Sequence, residues 1–163
     1  FIQAGADVIC CGGNVGNAKM AGPKFFKEFI LPYEMKFAER VQAYGAFYLY
    51  HNCGYASALL DYYPQINMNI YESLAPVPYG DTKLEDAFDK FDKKITLCGN
   101  IDQIDFLRNA TPEQIKKEVR RVLEKAKARG NFILATTDYF SEGTPYENIK
   151  AFADAGLEYG KYD

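Results

Sequence analysis

The sequence predicts an α/β fold built on a parallel sheet, on three observations. Short, continuous apolar runs recur along the chain, as in strands covered on both faces. Stretches with apolar residues at helical spacing follow them. Glycine and proline punctuate the joints between the two.

In chain order, the strands expected are Asp7–Gly12, Ala46–His51, Met68–Leu74, Lys94–Gly99 and Asn131–Thr136. After the first strand, Gly12-Gly13-Asn14-Val15-Gly16 reads as a tight connection, since it matches no dinucleotide or phosphate-loop fingerprint. Pro23 suits a first helical turn, and Phe26, Phe29, Ile30, Tyr33, Phe37 and Val41 then recur at helical spacing, most simply as core. Pro32 kinks or splits that helix, and Gly45 terminates it. Ala75–Thr82, after the third strand, is the most irregular stretch. Thr111-Pro112-Glu113-Gln114 is a capping box with proline at its first turn. Ile115, Val119, Val122 and Ala126 line one face behind it, and Gly130 closes the helix. Thr144-Pro145-Tyr146-Glu147 repeats the device, with Ile149 and Phe152 behind it and Gly156 at the end.

Strand and helix thus alternate five times, which implies right-handed crossovers in one parallel sheet. An open doubly wound sheet and a (β/α)8 barrel both satisfy that alternation. Five units are too few to close an eight-stranded barrel of about 250 residues. The chain opens on Phe1 rather than Met, so the latter part of a longer barrel domain, occupying residues 1–163, is the expected form.

Composition narrows the function classes. The net charge is −3 and the Lys and Arg residues are scattered, so no nucleic-acid partner is indicated. No apolar run approaches the roughly 20 residues of a membrane span, and no signal peptide is visible. The expected location is the cytoplasm, with the four cysteines reduced.

In either architecture ligands bind at the carboxyl ends of the strands. Cys10, Cys11 and Asn14 fall there on the first strand, the first two read chiefly as core. The second ends in His51 and Cys53, the third in Glu72 and Ser73, and the fourth in Cys98, Asn100 and Asp102. The fifth ends in Thr137, Asp138 and Tyr139. His51 is the only histidine of the chain, and residues i and i+2 of an extended segment face the same side. Imidazole and thiolate together suit zinc, whose catalytic sites keep three protein ligands and an open position. Asp138, Cys98 and Glu72 are the alternatives for the third ligand; spacing does not choose among them.

GADVI, GPKFFKEFILPYEMKF, YHNCG, PYGDTKLEDA, LCGNIDQIDFL and FILATTDYFSEGTPYENIKAF follow one another in order. Together they resemble the carboxyl-terminal part of the uroporphyrinogen decarboxylase superfamily, over essentially the whole chain. The resemblance implies a (β/α)8 barrel. It also implies one of two chemistries: cofactor-free decarboxylation of a porphyrinogen in haem biosynthesis, or cobalamin-dependent methyl transfer with zinc on a His-x-Cys pair and a distant cysteine. His51 and Cys53 match the pair. At the distant position the family often has Gly-Cys, where this chain has Thr137-Asp138. The methyltransferase branch is therefore expected, with zinc on His51, Cys53 and Cys98, and Asp138 as the other candidate ligand. Glu72 and Asp138 take catalytic or His51-orienting roles, and Asn100, Asp102 and Tyr139 position the substrate. A partner corrinoid protein would supply methylcobalamin, and a thiol or other small molecule would accept or donate the methyl group. The rival readings are the decarboxylase, whose arginines and aspartate belong to the amino-terminal part, and a non-catalytic barrel part with apolar surface exposed on its first and last strands.

Overall fold

A computed structural model describes residues 1–162. Five strands form one parallel sheet: β1 (Val8–Gly12), β2 (Phe47–His51), β3 (Ile70–Ser73), β4 (Thr96–Ile101) and β5 (Phe132–Thr136). Their order in space is their order in sequence. A doubly wound sheet reverses its order at a switch point. An unreversed order with right-handed crossovers instead keeps the helices on one face and curves the sheet, so these are five consecutive units of a (β/α)8-type barrel.

The helices are α1 (Gly22–Phe25), α2 (Leu31–Ala43), α3 (Leu84–Lys90), α4 (Phe106–Asn109), α5 (Pro112–Arg129) and α6 (Tyr146–Tyr159). A π-helical segment, Phe26–Ile30, joins α1 to α2 just ahead of Pro32. Its wider turn slips the phase of the apolar stripe. Phe26, Leu31, Ala38 and Val41 are therefore buried, whereas Phe29, Tyr33 and Phe37, expected in the core, are exposed. β2 is followed by two short 3₁₀ turns, Ser57–Leu59 and Tyr63–Ile66, rather than by an α-helix. β4 begins two residues later than expected, because Ile95 N–H closes a turn onto the Asp92 carbonyl.

α5 forms as its sequence dictates. Thr111 accepts from the Gln114 N–H, and the Gln114 side chain accepts from the Thr111 N–H. Ile115, Val119, Val122 and Ala126 are buried. At α6 the capping device does not form: Thr144 donates its hydroxyl to the Ser141 carbonyl. The helix also runs through Gly156, where a Cβ would stand 3.0 Å from Leu134 Cδ2. Here glycine serves close helix–strand packing rather than termination.

The two faces of the sheet differ. Tyr48, Tyr50, Tyr71 and Leu97 point toward the helices and are fully buried. Tyr50, Tyr63, Tyr71 and Phe91 pack with ring centroids 5.0–6.4 Å apart. In a parallel pair, residues in register share a face, so Gly12, His51, Glu72, Cys98 and Ile133 form one row on the other, concave face. Val8, Cys10, Phe47 and Ile133 are exposed on it. Cys10 is thus not a core residue. Cys11, on the helix side, is partly buried and directs its thiol at Glu34. Among the described residues no helix is long and apolar enough to cross a membrane.

Candidate metal centre at the carboxyl end of the sheet

His51 is the last residue of β2. Its successor, Asn52, turns to the helix side, where its amide bonds the buried Tyr63 hydroxyl and its Oδ1 accepts from the Gly54 N–H at 2.9 Å. That anchoring leaves His51 and Cys53, one residue to either side, on the opposite face. Asp81 fixes the next residues: it accepts from Ala56 N–H at 2.7 Å, Ser57 N–H at 2.9 Å and the Ser57 hydroxyl. Burial pushes the Asp81 carboxyl up, but these hydrogen bonds outweigh it and hold the group below its ordinary value.

Asp138 follows β5 and is held from two directions. Thr136 donates its hydroxyl to the Asp138 carbonyl at 2.5 Å, and Tyr139 N–H donates to Asp138 Oδ1 at 2.8 Å. This leaves Oδ2 facing His51 Nε2 at 3.9 Å. On the other side of the ring, His51 Nδ1 donates to Glu72 Oε2 at 2.8 Å. With Nδ1 engaged by Glu72, Nε2 is the ring nitrogen that faces the Asp138 carboxylate. Ligand atoms of His51, Cys53 and Asp138 all lie within 4.8 Å of one another.

Two carboxylates and a thiol therefore gather around one imidazole. Among the described residues, neither Glu72 nor Asp138 has a lysine or arginine within ion-pair distance; His51 is the partner of both. The Cys53 thiol is pushed up to about 11, first by burial and then by its hydrogen bond to, and the charge of, Asp138. A divalent cation would resolve all three features. One nitrogen, one sulfur and one carboxylate oxygen are donors that zinc accepts, and a tetrahedral site holds such atoms roughly 3.5 Å apart. The Glu72–His51 contact is the outer carboxylate–imidazole pairing that orients metal-bound histidines. The residues present fit a zinc ion.

The structure does not bring Cys98 into this group. It lies on β4, two strands from His51, beside Glu72 in the same row. The donor atoms that converge within 4.8 Å are those of His51, Cys53 and Asp138, and the Cys98 sulfur is not among them. Cys98 is buried, and its thiol is pushed up to about 12, by burial first and the Glu72 charge second. Asp138 stands where the third ligand was expected from Cys98.

Of the residues expected to position substrate, Asp102 is fully engaged: its two oxygens accept from the Ile104, Asp105 and Phe106 N–H groups at 3.0, 3.2 and 2.9 Å. It caps the turn into α4. Asn100 is buried and donates to the Leu74 carbonyl at 2.9 Å. Tyr139 is 81% exposed on the rim next to Asp138. Asn14 and Asp81 drew no role from the sequence. A glycine-flanked asparagine at a strand end and the Pro-Tyr-Gly-Asp turn were the signals available for them.

A barrel-type α/β architecture with a cation-ready cluster at its carboxyl rim defines the class of protein. Residues 1–159 match the family described as uroporphyrinogen decarboxylase (URO-D), and the chain belongs to that family. It is 26% identical over 155 residues to the methylated-thiol–coenzyme M methyltransferase of Methanosarcina mazei, covering 94% of this chain and 38% of that protein. It is 27% identical over 162 residues to the methylcobamide:CoM methyltransferase MtaA of Methanosarcina barkeri (strain Fusaro), covering 98% of this chain and 44% of that protein. A solved methyltransferase from Methanosarcina mazei superposes with a TM-score of 0.81 at 23% identity, covering 98% of this chain and 44% of the other, a likeness of fold. The chain spans less than half the length of these relatives.

Proposed function

We propose that the chain carries the zinc-binding half of a corrinoid-dependent methyltransferase, moving a methyl group between a corrinoid held by a partner protein and a small thiol or similar acceptor. The observation that carries this reading is the convergence of His51, Cys53 and Asp138 within 4.8 Å, with Glu72 bonded to the far side of the imidazole. The methyltransferase relatives support the reaction class. When bound, zinc supplies a Lewis acid that lowers the pKa of a coordinated thiol toward neutrality.

The chain's own residues supply the rest. Glu72 accepts the Nδ1 proton of His51 and keeps Nε2 free as a donor atom. Cys53 holds its proton while no cation is present, because burial and Asp138 raise its pKa, and releases it on metal binding. Asp138 presents one oxygen to the cluster while its other oxygen accepts from the Tyr139 amide. The concave face below, carrying Cys10, Leu49 and Ile70, offers a floor of low polarity for a small substrate.

The test is zinc analysis of the purified chain and of a His51→Ala/Cys53→Ala double variant. Stoichiometric zinc in the parent and its loss in the variant are expected. Equal zinc in both proteins, or none in the parent under zinc-replete conditions, overturns the reading.

A further inference from the structure

The loop after β1 touches the metal-binding segment at alternate residues. Gly13 N–H donates to the His51 carbonyl at 2.7 Å, and Ala18 N–H donates to the Tyr55 carbonyl at 2.8 Å. Between them, Asn14 Oδ1 accepts from both the N–H and the thiol of Cys53, each at 3.3 Å. Residues 51, 53 and 55 are the same-side positions of an extended chain. The loop therefore ties the His51–Tyr55 segment to the end of β1 at three points.

Asn14 is itself held in place. It opens a 3₁₀ turn, Asn14–Gly16, and its carbonyl accepts from Asn17 Nδ2 at 2.7 Å. Asn17 Oδ1 accepts from the Lys19 and Met20 N–H groups at 3.0 and 3.1 Å. From the opposite side Gly54 presses on Asn17, so closely that a Cβ on Gly54 would lie 3.1 Å from the Asn17 amide. Neither loop can move without the other.

We propose that Asn14 is a positioning residue for the Cys53 sulfur, holding it through the side-chain oxygen that contacts both the amide and the thiol of that residue. The proposal rests on the metal-centre reading above. A carboxamide carries an acceptor and two donors on one rotatable group. With the thiol present, Oδ1 accepts the S–H. Because the same oxygen also accepts from the Cys53 N–H, the sulfur is held in one orientation relative to its own backbone. Outer partners of this kind are worth about 10- to 100-fold in metal affinity.

The experiment measures zinc affinity of the full chain by competition with a chromophoric chelator, and the sulfur-to-metal charge-transfer band with cobalt(II) in place of zinc. Asn14→Leu keeps the volume and removes the amide; Asn14→Ser restores a short hydroxyl that both accepts and donates. Far-UV circular dichroism reports folding of each. The expected result is that Asn14→Leu weakens zinc binding about 10-fold or more and shifts the cobalt band, while Asn14→Ser recovers much of both. Parent-like affinity and spectrum in Asn14→Leu, or a serine variant as impaired as the leucine one, overturns the role of Asn14 and leaves the metal centre standing. A parent chain that binds neither zinc nor cobalt overturns the metal centre, and this proposal with it.

Discussion

At the amino end of the sheet, Arg129 is 7% exposed, and both its terminal nitrogens are hydrogen-bonded to carbonyls. Its Nη1 donates to the Gly130 and Asn131 carbonyls at 3.0 and 3.2 Å, and its Nη2 to the Asp92 and Ile95 carbonyls at 2.9 and 3.0 Å. The Phe88 ring lies 5.6 Å from its guanidinium carbon. At the carboxyl end, two carboxylates and a thiol surround one imidazole, with no lysine or arginine beside them among the described residues. One end brings its own cation and binds together the turns that precede β4 and β5. The other gathers groups whose chemistry suits a cation. In barrels of this type the amino face serves stability and the carboxyl face serves chemistry, and here the same electrostatics, balanced in one place and unbalanced in the other, separates the two roles.

The largest expected effect lies at the balanced end. Arg129→Met removes the guanidinium and takes the side-chain donor from four carbonyls, the Ile95 one buried and the others part-buried, so thermal unfolding should move down by about 3 kcal/mol, roughly 10 °C in a chain of this size, with zinc affinity unchanged. A loss of zinc binding in a folded Arg129→Met protein would erase the separation between the ends.

Next comes the unbalanced end. Zinc at about 100 times its dissociation constant should stabilise the parent chain by about 2.7 kcal/mol, and a chelator should reverse the gain. The Arg129→Met protein should gain the same increment, since distant sites add. Differential scanning calorimetry in the four combinations checks both statements.

Glu72→Gln sharpens the comparison within the site. It keeps the shape and weakens the pairing with His51 Nδ1. Zinc affinity should fall about 10-fold, equivalent to about 1.4 kcal/mol, while the zinc-free melting temperature stays close to that of the parent. Isothermal titration with zinc reads the difference.

The smallest effect is an alkaline one. Cys98 and Cys53 hold their protons up to about 12 and about 11 in the fold, whereas an unfolded thiol ionises near pH 8.5. Above that pH the unfolded chain binds fewer protons than the folded one, so stability falls as pH rises, through the Cys53 and then the Cys98 value. Below pH 8 both contributions are fully present. Urea midpoints of zinc-free protein between pH 8 and 11 should decline, and Cys98→Ala should flatten part of that slope.

Much of this was legible in the residues. The five strands, the capping box of α5 and the placement of His51 and Cys53 at a strand end all follow from local pattern. The phase of α2 was not legible, because a π-helical segment changes the residues per turn within one apolar stripe. Nor was the opposed fate of two aspartates. Asp102 directly follows β4 and turns back to accept from the amides of the turn into α4, whereas Asp138 sits two residues beyond β5 and turns toward His51.

What the sequence determined by itself is therefore much of what depends on near neighbours: which segments extend, which long segments coil, and that an imidazole and a sulfur two residues apart face one way. The tertiary structure alone decided that Asp138 rather than Cys98 joins them, that Arg129 closes the far end, and that Asn14 reaches Cys53. Backbone periodicity acts over a few residues and is written in spacing. Partners brought within 4 or 5 Å across separate strands and loops depend on sheet order, strand separation and loop direction, none of which any short stretch of the chain encodes.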